Sequence, residues 1–252
     1  MDPITHSLIG LGVASFSGEP LSLTNPIYLG ALLGSLAPDL DFVLQANGDL
    51  TYLRHHRGAS HSLLGTVFFA SGISLILNQF FPKTGLESLF FWSWLGVFSH
   101  CIVDIFNSYG AKLLWPFYRE KISCNLLNIF DPLLFILLIL PHFHQTGFPY
   151  IRLFSALSIL FYLTFRFLIR RKIINELKTV FKAEAERIFV MPTLKRNWTW
   201  DVFLETAQHF LIGQAGSFKK PFQFKRKFWK QRGSLIKEAQ KRGIDVVGPI
   251  GA

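Results

Sequence analysis

Ser88-Leu-Phe-Phe-Trp-Ser-Trp-Leu-Gly-Val-Phe-Ser-His100-Cys-Ile-Val-Asp104-Ile-Phe-Asn107 decides the fold class. The stretch has no lysine or arginine, and as a helix it is long enough to cross a bilayer, which takes about 20 residues. Residues 62–81 and 150–169 have the same character, with Arg152 and Arg166 near the ends of the second. A fourth apolar stretch, 129–144, is shorter and holds Pro132 and Pro141, so it reads as a tilted, thinned or partly inserted helix. Two earlier runs, 4–16 and 27–36, are too short to span singly. They read as a re-entrant or interfacial hairpin, or as helices packed on the bundle. The fold class is therefore mainly α, a polytopic helical membrane bundle of about four spans with an N-terminal short-helix hairpin.

Composition agrees with that reading. Half of the 252 residues are hydrophobic, 27 are Phe, and mean hydropathy is +0.33. The apolar residues lie in long blocks, not at the amphipathic spacing of a soluble core. Cys101 and Cys124 are too few to suggest a disulfide framework or a thiolate zinc site. Met1-Asp2-Pro3 lacks the basic start of a cleaved signal peptide, so the N-terminal residues are expected to be kept.

Charge separates two domains, 1–172 and 173–252. Through residue 171 there are 10 Lys/Arg against 9 Asp/Glu; from 172 onward there are 16 against 7. Arg166, Arg170, Arg171 and Lys172 close the last span and predict that its end is cytoplasmic. Counting back puts the loops 46–61 and 108–128 on the same side. The C-terminal portion is expected to be a cytoplasmic extension. It begins with an amphipathic helix over 173–189. Short strands follow around 188–191, 198–205 and 209–214. The 219–242 tail interleaves Lys and Arg with Phe and Trp, which suits an anionic lipid surface better than nucleic acid for a segment tethered to a membrane. Composition does not fix the oligomeric state.

The chemistry lies in five polar elements set among apolar residues. They are Thr5-His6, Pro38-Asp39-Leu40-Asp41, His55-His56-Arg57 with Ser60-His61, Ser99-His100 with Asp104, and Asp131-Pro132. His100 and Asp104 are four residues apart and share one helix face. Ionisable groups in a span are costly, which points to function. Asp39 and Asp41 read either as a turn and helix cap or as a pair that bridges or chelates a cation. Three histidines within seven residues (His55, His56, His61) are dense for a solvated loop, and histidine is the commonest metal ligand. The topology brings the start of the first long span beside the end of the second, so these groups converge. A mixed imidazole and carboxylate set suits Zn2+, Mn2+ or Fe2+. Arg57, Arg119 or Lys121 can orient a phosphate.

These motifs carry a resemblance. Met1-Asp-Pro-Ile-Thr-His-Ser-Leu, Ala37-Pro-Asp39-Leu-Asp41, His56-Arg-Gly-Ala-Ser-His61-Ser-Leu and Ser99-His100-x-x-x-Asp104 resemble the bacterial membrane-bound metal-dependent hydrolases, also called LexA-regulated or YdjM-like. Trp115-Pro116 also fits, and the basic C-terminal portion with Trp198-x-Trp200 resembles the longer branch of the family. That family is distantly similar to zinc-dependent phospholipases C and single-strand nucleases. The resemblance implies metal ligands at His6, Asp39, Asp41, His56, His61, His100 and Asp104. One to three ions are expected, and if the protein is an enzyme, Asp39, Asp41 and Arg57 are expected in catalytic roles. The expected activity is hydrolysis of a phosphoester on a lipid or lipid-linked substrate at the inner membrane. The rival expectation is a membrane protein with a structural metal and no catalysis, such as an assembly factor or transporter.

Overall fold

The structure is a computed structural model that describes residues 1–47, 57–143, 149–181, 184–194, 196–218 and 223–229. Packing divides the chain into two units, Met1–Leu168 and Ile169–Ala252.

The first unit opens with two short helices, each started by a side-chain cap and a proline. In α1 (Pro3–Ala14) the Asp2 carboxylate accepts hydrogen bonds from Thr5 N–H at 2.9 Å and Thr5 Oγ1 at 2.6 Å. In α2 (Pro26–Leu36) Asn25 accepts from Ile27 N–H. Such caps satisfy the amides that a helix start leaves bare, and proline there loses no bond. After α2 the chain tightens into a 3-10 segment, Ala37–Asn47. Pro38 has no N–H to continue the α-helical ladder.

Two antiparallel helices follow, α3 (Leu63–Phe80) and α4 (Leu86–Phe106), joined by a short connection. Helix α4 is the hub, packed against α1, α2 and α3. Its contact with α2 is backbone to backbone. A Cβ on Gly96 would fall 2.3 Å from the Ala31 carbonyl oxygen, and one on Gly34 would fall 2.3 Å from that of Ser93. Only glycine permits such an approach, the usual device of membrane helix pairs. The N-terminal helices are therefore packed on the bundle.

Helices α3, α4 and the long helix α6 (Pro149–Phe181) contain stretches long and apolar enough to cross a membrane. Phe68, Ile76, Leu153, Phe154, Leu160 and Phe161 are more than half exposed, as lipid-facing side chains of a bundle would be. Within 129–144, helix α5 (Pro132–Phe143) has 12 residues. At 1.5 Å per residue it is about 18 Å long, short of the roughly 30 Å of hydrocarbon.

Asp131-Pro132 turns out to be a cap for this helix. Asp131 Oδ1 accepts from the N–H groups of Leu133 and Leu134, and Oδ2 accepts from Tyr162 Oη–H at 2.8 Å. Arg166 reaches Tyr162 Oη at 3.0 Å and Asp131 Oδ2 at 3.7 Å and is fully buried. It acts as an internal tie between α5 and α6, not as a basic residue at the membrane edge.

In the second unit, the remainder of α6 is followed by β1 (Ala185–Thr193), β2 (Arg196–Thr206), β3 (His209–Gly216) and β4 (Gln223–Trp229). They form one antiparallel sheet in sequence order. Val190, Trp200, Val202 and Leu204 fill one face, while Phe189, Phe203 and Phe210 form ring contacts on the other. Two expectations need correction. The helix expected over 173–189 is the end of α6 and stops at Phe181, because Ile188 and Val190 alternate into pairing with β2. Part of the basic tail, Lys225-Arg226-Lys227, belongs to β4. The rest of the tail lies outside the described residues.

Candidate metal centre

Three segments deliver one donor cluster. Asp39 sits in the 3-10 segment after α2, His61 ends the single turn Ala59–His61 before α3, and His100 and Asp104 lie one turn apart on the buried face of α4. Together these four form a group able to hold a metal ion. The His61 and His100 Nε2 atoms are 3.1 Å apart. Asp104 Oδ2 lies 3.3 Å from His61 Nε2 and 3.7 Å from His100 Nε2; Asp39 Oδ1 lies 3.6 and 3.5 Å from the same two atoms. A tetrahedral ion with bonds of 2.0–2.1 Å needs donor–donor edges of about 3.3 Å. The residues therefore fit a small divalent cation. Asp39 Oδ1 and Asp104 Oδ2 are buried and accept no hydrogen bond, although Asp104 Oδ2 has an ion pair with Arg57 Nε at 3.1 Å; a cation would complete their pairing.

The second nitrogen of each imidazole fixes the first. His100 Nδ1 is 2.6 Å from the Ser35 carbonyl oxygen, which can only accept, so Nδ1 carries the proton and Nε2 keeps its lone pair. The glycine contacts between α2 and α4 make this approach possible. His61 Nδ1 is 3.0 Å from Ser60 Oγ, whose own proton goes to Asp41 Oδ2 at 2.8 Å. Asp41, expected among the ligands, instead stands behind the His61 ring and orients it through Ser60. This is the carboxylate–imidazole support typical of metal sites.

His6 also falls outside the four-donor group. Its ring stacks on His100, with centroids 3.7 Å apart, and Nε2 contacts the Met1 α-amino nitrogen at 2.8 Å. Burial, outweighing the Asp104 carboxylate, lowers its pKa to about 4, so the ring is neutral at physiological pH. His55 and His56 lie outside the described residues. Arg57 is present and nearly buried. Its N–H donates to Asp41 Oδ2, its Nε is 3.1 Å from Asp104 Oδ2, and its guanidinium lies over Tyr109. Two of its nitrogens are buried without a hydrogen bond, Nε, which has the Asp104 ion pair, and NH1, which has no partner. Its backbone φ of 60° holds it in the left-handed region, a strained conformation of the kind that clusters at functional sites. Ser35, Ser60 and Tyr109 carried no role in the sequence reading. Ser60 was within reach, since it directly precedes His61; a backbone carbonyl such as that of Ser35 leaves no sequence signal.

Electrostatics place a proton where the metal would go. Burial disfavours charge on His61, but the carboxylates of Asp104 and Asp39 outweigh it and raise its pKa. Burial likewise disfavours the Asp39 carboxylate, yet the His100 and His61 imidazoles hold its pKa far below the usual range. A metal must displace the His61 proton. His61 stabilises the metal-free fold below about pH 6.5, and that contribution is lost as pH rises through its raised pKa. Metal affinity runs the other way, increasing up to about tenfold per pH unit until His61 has titrated. Isothermal titration of Zn2+ at several pH values, beside melting of the metal-free protein, should give opposite slopes. Parallel slopes would show that His61 is not the group displaced.

Residues 1–173, which contain every group of the centre, match the protein family described as YdjM inner membrane protein. An uncharacterized protein of Bacillus subtilis (strain 168), YfhP, is 33% identical over 224 residues, covering 85% of this chain and 68% of its own length. No solved structure matches.

Proposed function

We propose, from the premise that this chain belongs to the YdjM inner membrane protein family, that it is a membrane-bound metal-dependent hydrolase. Its substrate is a phosphoester on a lipid or lipid-linked molecule. The observation that carries this reading is the pairing of four converging donors with an unpartnered guanidinium nitrogen beside them. A divalent ion, by donor chemistry Zn2+ with Mn2+ or Fe2+ as alternatives, would act as Lewis acid and source of hydroxide. Asp39, His61, His100 and Asp104 would hold it. Asp39 is 24% exposed where the other three are fully buried, so substrate and water enter on its side. Its carboxylate can accept the proton that the attacking water loses. Arg57 steadies Asp104 through Nε and offers NH1 to a phosphoryl oxygen. Asp41 keeps His61 aimed at the metal.

The basic residues Arg170, Arg171 and Lys172 favour a cytoplasmic site and C-terminus. The Lys- and Arg-rich 219–242 segment would rest on anionic lipid. A structural ion is the second reading, because a closed set of four protein donors is also the structural pattern. The unpaired Arg57 nitrogen and the accessible Asp39 favour catalysis. The test is phosphate release from a panel of phospholipids and soluble phosphoesters by metal-loaded protein in nanodiscs. Turnover that chelation abolishes and Zn2+ or Mn2+ restores is expected. A fully loaded protein inert on the whole panel would leave the structural ion as the reading.

A further inference from the structure

The segment between α4 and α5 carries a cationic pair that the metal centre does not use. Ala111 and Ile122 form an antiparallel bridge, each N–H donating to the other's carbonyl at 3.1 and 2.9 Å. Lys112 and Lys121 adjoin this isolated bridge, one on each side of it, and lie close enough to influence each other. Lys112 N–H also donates to the Arg57 carbonyl at 3.1 Å, which joins this pair to the Arg57 backbone. Like charges held near one another repel. Among the described residues, neither lysine has a carboxylate partner. Lys121 is close enough to Arg57, Lys112, Asp41 and Asp104 to feel each of them. Burial first, then Arg57 and Lys112, lower its pKa. The nearby carboxylates are already engaged, Asp104 with Arg57 and Asp41 with Ser60 and the Arg57 amide.

Charge balance indicates what is missing. Asp39, Asp41 and Asp104 face Arg57, Lys112, Lys121 and the Met1 α-amino group, so with neutral imidazoles a bound divalent ion leaves positive charges uncompensated. These charges fall at two places. One is the metal with Arg57 NH1, and the other is the lysine pair. A single monoanionic diester would fill only the first.

We infer that Lys112 and Lys121 seat a second phosphate, so that the ligand of this site is a diphosphate. One phosphate lies at the metal and Arg57, and its neighbour lies on the lysines. This inference rests on the metal-centre reading above but does not require hydrolysis.

The test uses the full chain in nanodiscs, loaded with Zn2+, with inorganic pyrophosphate and orthophosphate as probes in isothermal titration. The wild type is expected to bind pyrophosphate more tightly than orthophosphate. Lys112→Gln/Lys121→Gln should lose on the order of 10- to 100-fold for pyrophosphate, with little change for orthophosphate or for metal content. Lys112→Arg/Lys121→Arg should restore most of the loss, and each single Gln variant should fall between. Equal affinity for the two probes in the wild type, or an unchanged preference in the double Gln variant, would overturn the proposal. Phosphatidylcholine nanodiscs with and without a diacylglycerol diphosphate distinguish the sources. Competition by the lipid identifies a membrane ligand, and competition by pyrophosphate alone identifies a soluble one. Absence of turnover with the pyrophosphate preference intact would count against the hydrolase and leave the diphosphate seat standing.

Discussion

His100→Ala/Asp104→Ala is expected to strip the protein of metal. Detergent-purified wild type should carry near-stoichiometric Zn or Mn by elemental mass spectrometry, and the double variant should carry none above background. Two of four converging donors are lost, and those remaining, Asp39 and His61, come from two separate 3-10 segments and share no helix that holds them in register. A loss of more than about 1,000-fold in affinity follows if each donor contributes even a few kcal/mol. Asp41→Asn provides the contrast. Asp41 supports the donors from behind, through Ser60 and His61 and through the Arg57 amide, and the loss of such supporting partners typically costs 10- to 100-fold. The order of losses therefore separates donor from support. Metal retained in the double variant would place the ion elsewhere. If Asp41→Asn were as damaging as the double variant, the outer-shell role assigned to Asp41 would be wrong. The α4 positions lie beside the Gly96 contact, so circular dichroism of the metal-free wild type serves as the control for folding.

Much of this centre was legible because helical spacing is rigid. Four residues bring side chains to one face, so His100 and Asp104 could be paired from the sequence. Asp39 and Asp41 illustrate the opposite case. Both look available as ligands, but at three residues per turn side chains two apart point about 240° apart. Only one of them can face the donors, and the packing of α2 on α4 selects Asp39. Asp131 was a candidate for chemistry on composition alone. Its capping of α5 is local, through Leu133 and Leu134 N–H, but its tie to Tyr162 and Arg166 spans 31 and 35 positions of chain, and no local pattern encodes that meeting. The bundle was readable because long apolar runs have few alternatives in a membrane. The strand at 223–229 was not, because its Lys-Arg-Lys core has the composition of a solvated tail and takes its structure from pairing with β3.

Arg57→Ala should lower kcat on a phosphoester by about 100- to 1,000-fold at saturating metal, the range for removing a donor aimed at developing negative charge. Arg57 occupies two positions at once, with Nε beside Asp104 and NH1 unpaired. Metal affinity should therefore also fall, by about tenfold or more, and the rate must be measured with the site refilled. Arg57→Lys is the sharper variant. A lysine restores one charge but has no rigid fork, so it can stand near Asp104 or reach the phosphate, not both. It should recover metal affinity more than kcat. Backbone strain does not confound the comparison, because Arg, Lys and Ala all pay a similar cost at the φ of 60° that this position adopts. A fall in metal affinity with kcat unchanged on refilling would reduce Arg57 to a support for Asp104. Phosphoryl recognition would then have to come from the ion alone, and the case for catalysis over a structural ion would lose its main support.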